Sequence, residues 1–241
     1  MRCLIIAAGQ GSRLAHRFPV KPLAPLADIP LIERVMALAA GQGIREFVVV
    51  SGHGRAEVER FVAAVAARRA LTASVLHNPQ WRLENGYSVL AARGALPGDF
   101  VLLMADHLFD GRLLGSLLAA PVGGGQVALA VDFRVAAHPC VDLDDVTRVQ
   151  VRDGRIVGIG KHLRDFNAFD TGIFRCTPAL FSGLEESVRR GDFSLSGGIR
   201  VLAEQGNALA LDSGGRFWID IDDERALNLA EEYLAGDLFH P

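Results

Sequence analysis

Cysteine is scarce in this chain of 241 residues: Cys3, Cys140 and Cys176 are an odd number, lie far apart and form no C-x-x-C pair. That spacing argues against a disulfide framework and against a zinc knuckle, and a reducing compartment is the expectation. Charge of one sign is also lacking, because 25 Lys and Arg face 28 Asp and Glu for a formal net charge of -3. Nothing in that balance suggests nucleic acid as a partner. Long apolar runs are missing too. The opening Met1–Ala8 stretch breaks at Gly9 and Gln10, too short to cross a membrane and badly flanked for a secretory leader. A cytoplasmic protein without a membrane segment is the economical expectation.

What is present is a hydrophobic half of the chain and ordinary charge content, enough to bury one sizeable core. A single domain over 1–241 is expected. Cys3–Ala8, Phe47–Val50, Ala73–Leu76 and Phe100–Met104 have the short apolar form of buried strands. Helical spacing over Ile32–Ala40, Ala56–Arg69, Ser88–Gly94 and Arg112–Ala119 alternates with them. Such β-α alternation predicts an α/β fold, a mostly parallel Rossmann-like sheet with helices on both faces. The second half differs. Val149–Val151 and Ile156–Ile159 flank Asp153-Gly154, a hairpin signal. Strands over Phe169–Arg175, Leu209–Leu211 and Phe217–Ile221 and helices over Pro178–Arg189, Ile199–Gln205 and Glu224–Leu234 complete the reading.

Chemistry concentrates in a few segments. Ala7-Ala8-Gly9-Gln10-Gly11-Ser12-Arg13-Leu14 leaves the first strand, and Lys21-Pro22-Leu23 follows. Two glycines let backbone N–H groups approach a phosphate chain, while Arg13 and Lys21 supply positive charge. A dinucleotide fingerprint needs glycine where Leu14 stands and an acid where Ser51 stands, and a P-loop needs Gly-Lys before Ser or Thr. Both are excluded, which leaves a triphosphate loop of another kind. Asp106 follows the apolar strand Phe100–Met104 and so falls at a strand's C-terminal end, where it can hold a hard cation or merely shape a turn. Asp220 and Asp222 share one face of a strand by the period of two; magnesium would relieve their repulsion. The alternative is a solvated strand end with Asp222 or Asp223 capping the next helix.

The loop motif, Ala-Ala-Gly-x-Gly-x-Arg-Leu followed by Lys-Pro-Leu, resembles that of the sugar-phosphate nucleotidyltransferase superfamily. The resemblance implies a GT-A-like nucleotidyltransferase fold with a small hairpin excursion. It also implies triphosphate contacts at Gly9, Gly11, Ser12, Arg13 and Lys21, with Ala7, Ala8 and Ala105 beside the nucleotide. Asp106 with Asp222 or Asp220 would hold Mg2+; where the family shows Asp-Thr-Pro this chain has Asp222-Asp223-Glu224, so the choice between the two aspartates stays open. Asn85-Gly86-Tyr87-Ser88, Met104-Ala105-Asp106-His107, the run from Thr147 to Lys161, Asp170-Thr171-Gly172 and Trp218-Ile219-Asp220-Ile221-Asp222 look closest to the cytidylyltransferases that act on inositol 1-phosphate. That likeness implies nucleotide contacts at Asn85, Gly86 and Ser88 and acceptor contacts near Asp132, Lys161 and Asp170. Residues 1–130 would mainly bind nucleotide and 131–241 acceptor.

The implied reaction joins CMP from CTP to inositol 1-phosphate and releases pyrophosphate, with small molecules as partners and a possible functional link to a membrane CDP-alcohol transferase. Phosphocholine or a hexose 1-phosphate as acceptor, and a non-catalytic nucleotide sensor, are the rivals. Two Trp and two Tyr leave little to build a choline cage. A sensor would have no need of three metal-ready aspartates.

Overall fold

The computed structural model describes residues 1–136 and 138–236. Its core is a nine-stranded mixed sheet. In chain order the elements are β1 (Arg2–Ala7), β2 (Pro25–Leu26), β3 (Ile29–Pro30), α1 (Leu31–Gly41), β4 (Glu46–Ser51), α2 (Arg55–Arg68), β5 (Thr72–His77), α3 (Gly86–Ala91), β6 (Phe100–Met104), β7 (His107–Phe109), α4 (Gly111–Ala119) and β8 (Val127–Asp132). There follow β9 (Arg148–Arg152), β10 (Arg155–Gly160), β11 (Ala168–Cys176), α5 (Ala179–Arg189), α6 (Leu195–Glu204), β12 (Ala208–Asp212), β13 (Trp218–Asp220) and α7 (Glu224–Ala235).

The sheet runs β5-β4-β1-β6-β11-β8-β12-β10-β9. β5, β4, β1 and β6 are parallel, the arrangement that β-α alternation demands, and their apolar residues are buried because helices cover both faces. Ile5, Phe47, Val49, Val101 and Leu103 face one core with α1, α2 and α4. Leu4, Val48, Val50, Phe100 and Leu102 face the other with α3, α5 and α6. β11 enters antiparallel between β6 and β8, and it pairs with β9 as well, so the far part of the sheet folds back on itself.

The Asp153-Gly154 hairpin forms as expected, both residues having positive φ, 48° and 72°, as a type I′ turn requires. Three readings change. α6 starts at Leu195 rather than Ile199, because Ser194 caps it by accepting from Gly197 N. The late apolar stretch leaves the main sheet: β13 pairs antiparallel with β7, a three-residue strand too short to announce itself by alternation. β8, fully buried on both faces, is an element that the spacing did not signal. Among the described residues no helix is long and apolar enough to cross a membrane.

Candidate active site

The C-terminal ends of β1 and β6 lie side by side, as in other open parallel sheets that bind ligands there. Ala105 N donates to Ile6 O at 3.0 Å, which fixes the exit of β6, and Asp106 follows. The β7–β13 ladder places His107 opposite Asp220, and Ile221 N donates to Asp106 O at 3.0 Å. This small ribbon is what brings Asp106 and the Asp220–Asp222 segment together across more than a hundred residues of chain. Asp223 caps α7 by accepting from Ala226 N, so the capping role and the site role fall on neighbouring aspartates.

Lys21 reaches this cluster from a 3-10 turn at Lys21–Leu23. Its side chain is only 4% exposed, and Nζ donates to Asp106 Oδ2 at 2.7 Å, pairs with Asp222, and lies 3.8 Å from Asp220 Oδ1. Burial works against its charge, but Asp106, Asp220 and Asp222 outweigh it and hold the ammonium above its usual range. Burial likewise opposes ionisation of Asp106, yet Lys21 and a 3.0 Å hydrogen bond from His107 keep that carboxyl well below the usual range. His107 is raised to about 9, since Asp220 and Asp106 overcome its burial. Burial pushes Asp220 up to about 7, reinforced by Asp106 and Asp222 and limited by His107 and Lys21.

Gly11 explains how the loop admits that lysine. Its φ is +66°, and a Cβ there would lie 2.4 Å from Lys21 Cδ. Leu14, fully buried, anchors the loop, and Arg13 projects from it to donate to Asp222 Oδ2 at 2.9 Å and to Asp145. Asp145 also accepts from Lys161. Although burial raises its pKa, these two cations bring the Asp145 carboxyl down to about 2. Arg13, Asn85, Lys161, Asp170, Asp220 and Asp222 line one cavity of about 220 Å³. Asp170 stands at a bulge of β11 against β8, where Oδ1 accepts from Gly172 N at 2.8 Å. Gly172, φ +75°, lets the His107 ring pack where a Cβ would be 2.6 Å away. Burial raises the Asp170 carboxyl to about 6.

Asp106, His107 and Asp220 offer ligand atoms within 4.8 Å of one another. Asp220 Oδ1 is buried with no hydrogen-bond partner among the described residues. An orphaned carboxylate oxygen beside a second carboxylate, with an ammonium resting between them, fits a hard divalent cation. Asp106, Asp220 and Asp222 are the suitable donors for such a cation, which prefers carboxylate oxygens, and His107 lies within reach beside them.

Not every expected residue reaches the cavity. Asp132 is fully buried, and its carboxylate is taken up by Arg134, His138 and Trp218 Nε1, the last at 2.8 Å. These donors occupy its oxygens, and it is not among the residues that line the cavity. Ser88 Oγ accepts from Asn78 Nδ2 in a buried pair, and Gly86 is glycine because a Cβ would meet Phe193 O at 2.4 Å. Asn85 Oδ1 accepts from Leu195 N, joining α3 to α6. Ala7, Ala8 and Ala105 are buried at the strand ends, while Gly9 and Ser12 belong to the partly open loop. Asp142, Asp145, His107 and Arg225 line the cavity without having been assigned roles. Asp142 and Asp145 sit in an irregular segment, His107 opens β7 and Arg225 lies in the first turn of α7, and no local spacing announces that these four meet.

Residues 3–152 match the MobA-like NTP transferase domain. The chain belongs to this family. The likeness runs beyond the residues of the family match: the chain is 37% identical over 96% of its length to a bifunctional IPC transferase and DIPP synthase of Rubrobacter xylanophilus. It is 30% identical over 96% to the protein of the same name from Aquifex aeolicus. It spans about half of those relatives, 51% in each case. The solved inositol-1-phosphate CTP transferase from T. maritima superposes with a TM-score of 0.86 at 25% identity, over 98% of this chain and 95% of that one. A UDP-glucose pyrophosphorylase complexed with UDP-glucose shares the fold at 17% identity, with a TM-score of 0.76 over 98% of both chains.

Proposed function

We propose that this chain is a cytidylyltransferase that transfers CMP from CTP to inositol 1-phosphate, giving CDP-inositol and pyrophosphate with Mg2+ as cofactor. The observation that carries the reading is that Arg13, Lys161, Asp220 and Asp222 line one cavity at the strand ends while Asp106 and Lys21 back it as a pair, Lys21 also pairing with those aspartates. The relatives' names supply the choice of CTP and inositol phosphate among the substrates such a site could take.

The reaction is attack of a phosphate-monoester oxygen on the α-phosphorus of CTP with pyrophosphate leaving in line. That oxygen is anionic at neutral pH, so no general base is needed. The chain's task is to bring two polyanions together and to stabilise charge. Arg13 and Lys21 would exchange their carboxylate partners for triphosphate oxygens, and Lys161 would leave Asp145 for the acceptor's phosphate. Asp170 and Asp145 would accept hydrogen bonds from the polyol hydroxyls. Mg2+ held by Asp106 with Asp220 or Asp222 would neutralise and orient the phosphate oxygens. Gly9, Ser12 and the backbone near Ala8 would cradle the nucleotide.

Pyrophosphate release, crossing CTP, UTP, GTP and ATP with inositol 1-phosphate, phosphocholine and glucose 1-phosphate, tests the reading. Release with CTP and inositol 1-phosphate alone is expected. Release with another pair moves the substrate, and silence with every pair overturns nucleotidyl transfer.

A further inference from the structure

The Asp132 carboxylate lies at the end of β8 and is not among the residues lining the site's cavity, yet its acceptor capacity is filled by four kinds of donor. Oδ1 accepts from Arg134 N at 2.9 Å and from Arg134 Nε at 3.0 Å. Oδ2 accepts from an Arg134 terminal N–H at 2.6 Å, Trp218 Nε1 at 2.8 Å and His138 Nε2 at 3.2 Å. The tautomer of His138 follows from its other nitrogen: Cys140 N donates to Nδ1 at 3.2 Å, so Nε2 carries the hydrogen. Arg134 also donates to Arg216 O at 3.2 Å.

Each donor sits one short step from the site. Trp218 opens β13, two residues before Asp220, and Arg216 O holds the approach to that strand. His138 grips Cys140, the first of the cavity-lining residues in the segment that carries Asp142 and Asp145. A charge this deeply buried would be costly without its partners, and with them it locks both segments at once.

We propose that Asp132 is a positioning residue: through Trp218 it sets Asp220 for the cation, and through His138 it sets the Asp142–Asp145 segment for the acceptor, without touching either. This rests on the nucleotidyl-transfer reading for its purpose, but its geometry can be tested apart from turnover. Partners that orient metal ligands typically change affinity about tenfold to a hundredfold when removed.

The test is Mn2+ binding to the full chain by electron paramagnetic resonance, for the wild type, Asp132→Asn and Trp218→Phe, well below each melting temperature. Trp218→Phe keeps an aromatic ring but deletes the N–H donor together with part of the buried indole's bulk, so its loss of stability is read against the destabilised control. Leu184→Ala, in the α5 core and outside the cavity, serves as a destabilised control. Both site variants are expected to weaken Mn2+ about tenfold or more, while Leu184→Ala lowers the melting temperature and leaves Mn2+ binding unchanged. If Asp132→Asn does not fold, Trp218→Phe alone decides. Unchanged Mn2+ affinity in the folded site variants overturns the proposal, as does a wild type that binds no Mn2+. A wild type that binds Mn2+ with the expected loss in the variants, yet releases no pyrophosphate from CTP and inositol 1-phosphate, supports the positioning role and sinks the functional reading instead.

Discussion

Lys21 Nζ donates to Asp106 Oδ2 at 2.7 Å while also pairing with Asp222, so one ammonium stands where a divalent cation and a triphosphate would both draw charge. Without ligand it neutralises the carboxylates that would otherwise repel one another.

Lys21→Met removes that charge and keeps the stem. The three aspartates then lose their one shared ammonium, leaving Arg13 on Asp222 and His107 on Asp106, and stability should fall by about 2 kcal/mol in chelator, less than for a fully buried pair because the carboxylates are partly exposed. Mg2+ should recover more melting temperature in the variant than in the wild type, while pyrophosphate release drops about a hundredfold or more. Melting curves with EDTA and with Mg2+ check the first part; an equal Mg2+ effect in both proteins would sink it.

Gly11→Ala tests the loop's dependence on close approach. The positive φ costs an alanine about 1 kcal/mol, and the Cβ would force Lys21 Cδ away from 2.4 Å. Activity should fall together with the Lys21 variants, and stability by about 1 to 3 kcal/mol. Gly9→Ala, with nothing within 4 Å of its added Cβ, should leave stability nearly unchanged. The contrast in urea unfolding midpoints between the two is the measurement.

Much of this arrangement is legible in the residues. Parallel strands with helices on both faces follow from short apolar runs alternating with helical spacing, and Asp106 falls at a strand's C-terminal end because Phe100–Met104 is apolar throughout. Arg13 and Lys21 can be placed from the loop motif. What spacing does not carry is the tertiary pairing: β7 is three residues long, and only its ladder with β13 makes neighbours of His107 and Asp220. Asp145 lies in an irregular segment and meets Arg13 and Lys161 through space alone. Asp132 shows the opposite failure. A carboxylate near an expected acceptor site invites a binding role, but the donors that take it up, Arg134, His138 and Trp218, come partly from a strand 86 residues away.

Lys161→Met should act on the acceptor alone. Its side chain is 54% exposed and, among the described residues, pairs with Asp145 alone, so little stability depends on it. A charge-assisted hydrogen bond to a phosphate contributes about 1.5 to 3 kcal/mol, so KM for inositol 1-phosphate should rise about tenfold to a hundredfold with KM for CTP nearly constant. Initial-rate kinetics varying each substrate separately check this, and an equal rise in both constants would argue against an acceptor role.

Asp170 gives a pH dependence of defined sign. Its ordinary carboxyl value is 3.8 and burial raises it to about 6, so the folded state holds the proton more tightly than the unfolded chain. Below pH 3.8 both states are protonated and the contribution to stability is fully present; it fades as the pH rises and is gone above about 6, where a buried charge replaces the neutral acid. Asp170→Asn keeps an oxygen for Gly172 N but cannot ionise. The variant should therefore match the wild type near pH 4 and exceed it by about 3 kcal/mol at pH 8, with the difference opening between those values. Paired thermal or urea unfolding across that range measures it directly. A variant less stable than the wild type at pH 8 would mean that the ionised carboxylate has found a partner such as the protonated His107 strong enough to offset its burial, and Asp170 would then be held charged for the polyol hydroxyls instead of neutral.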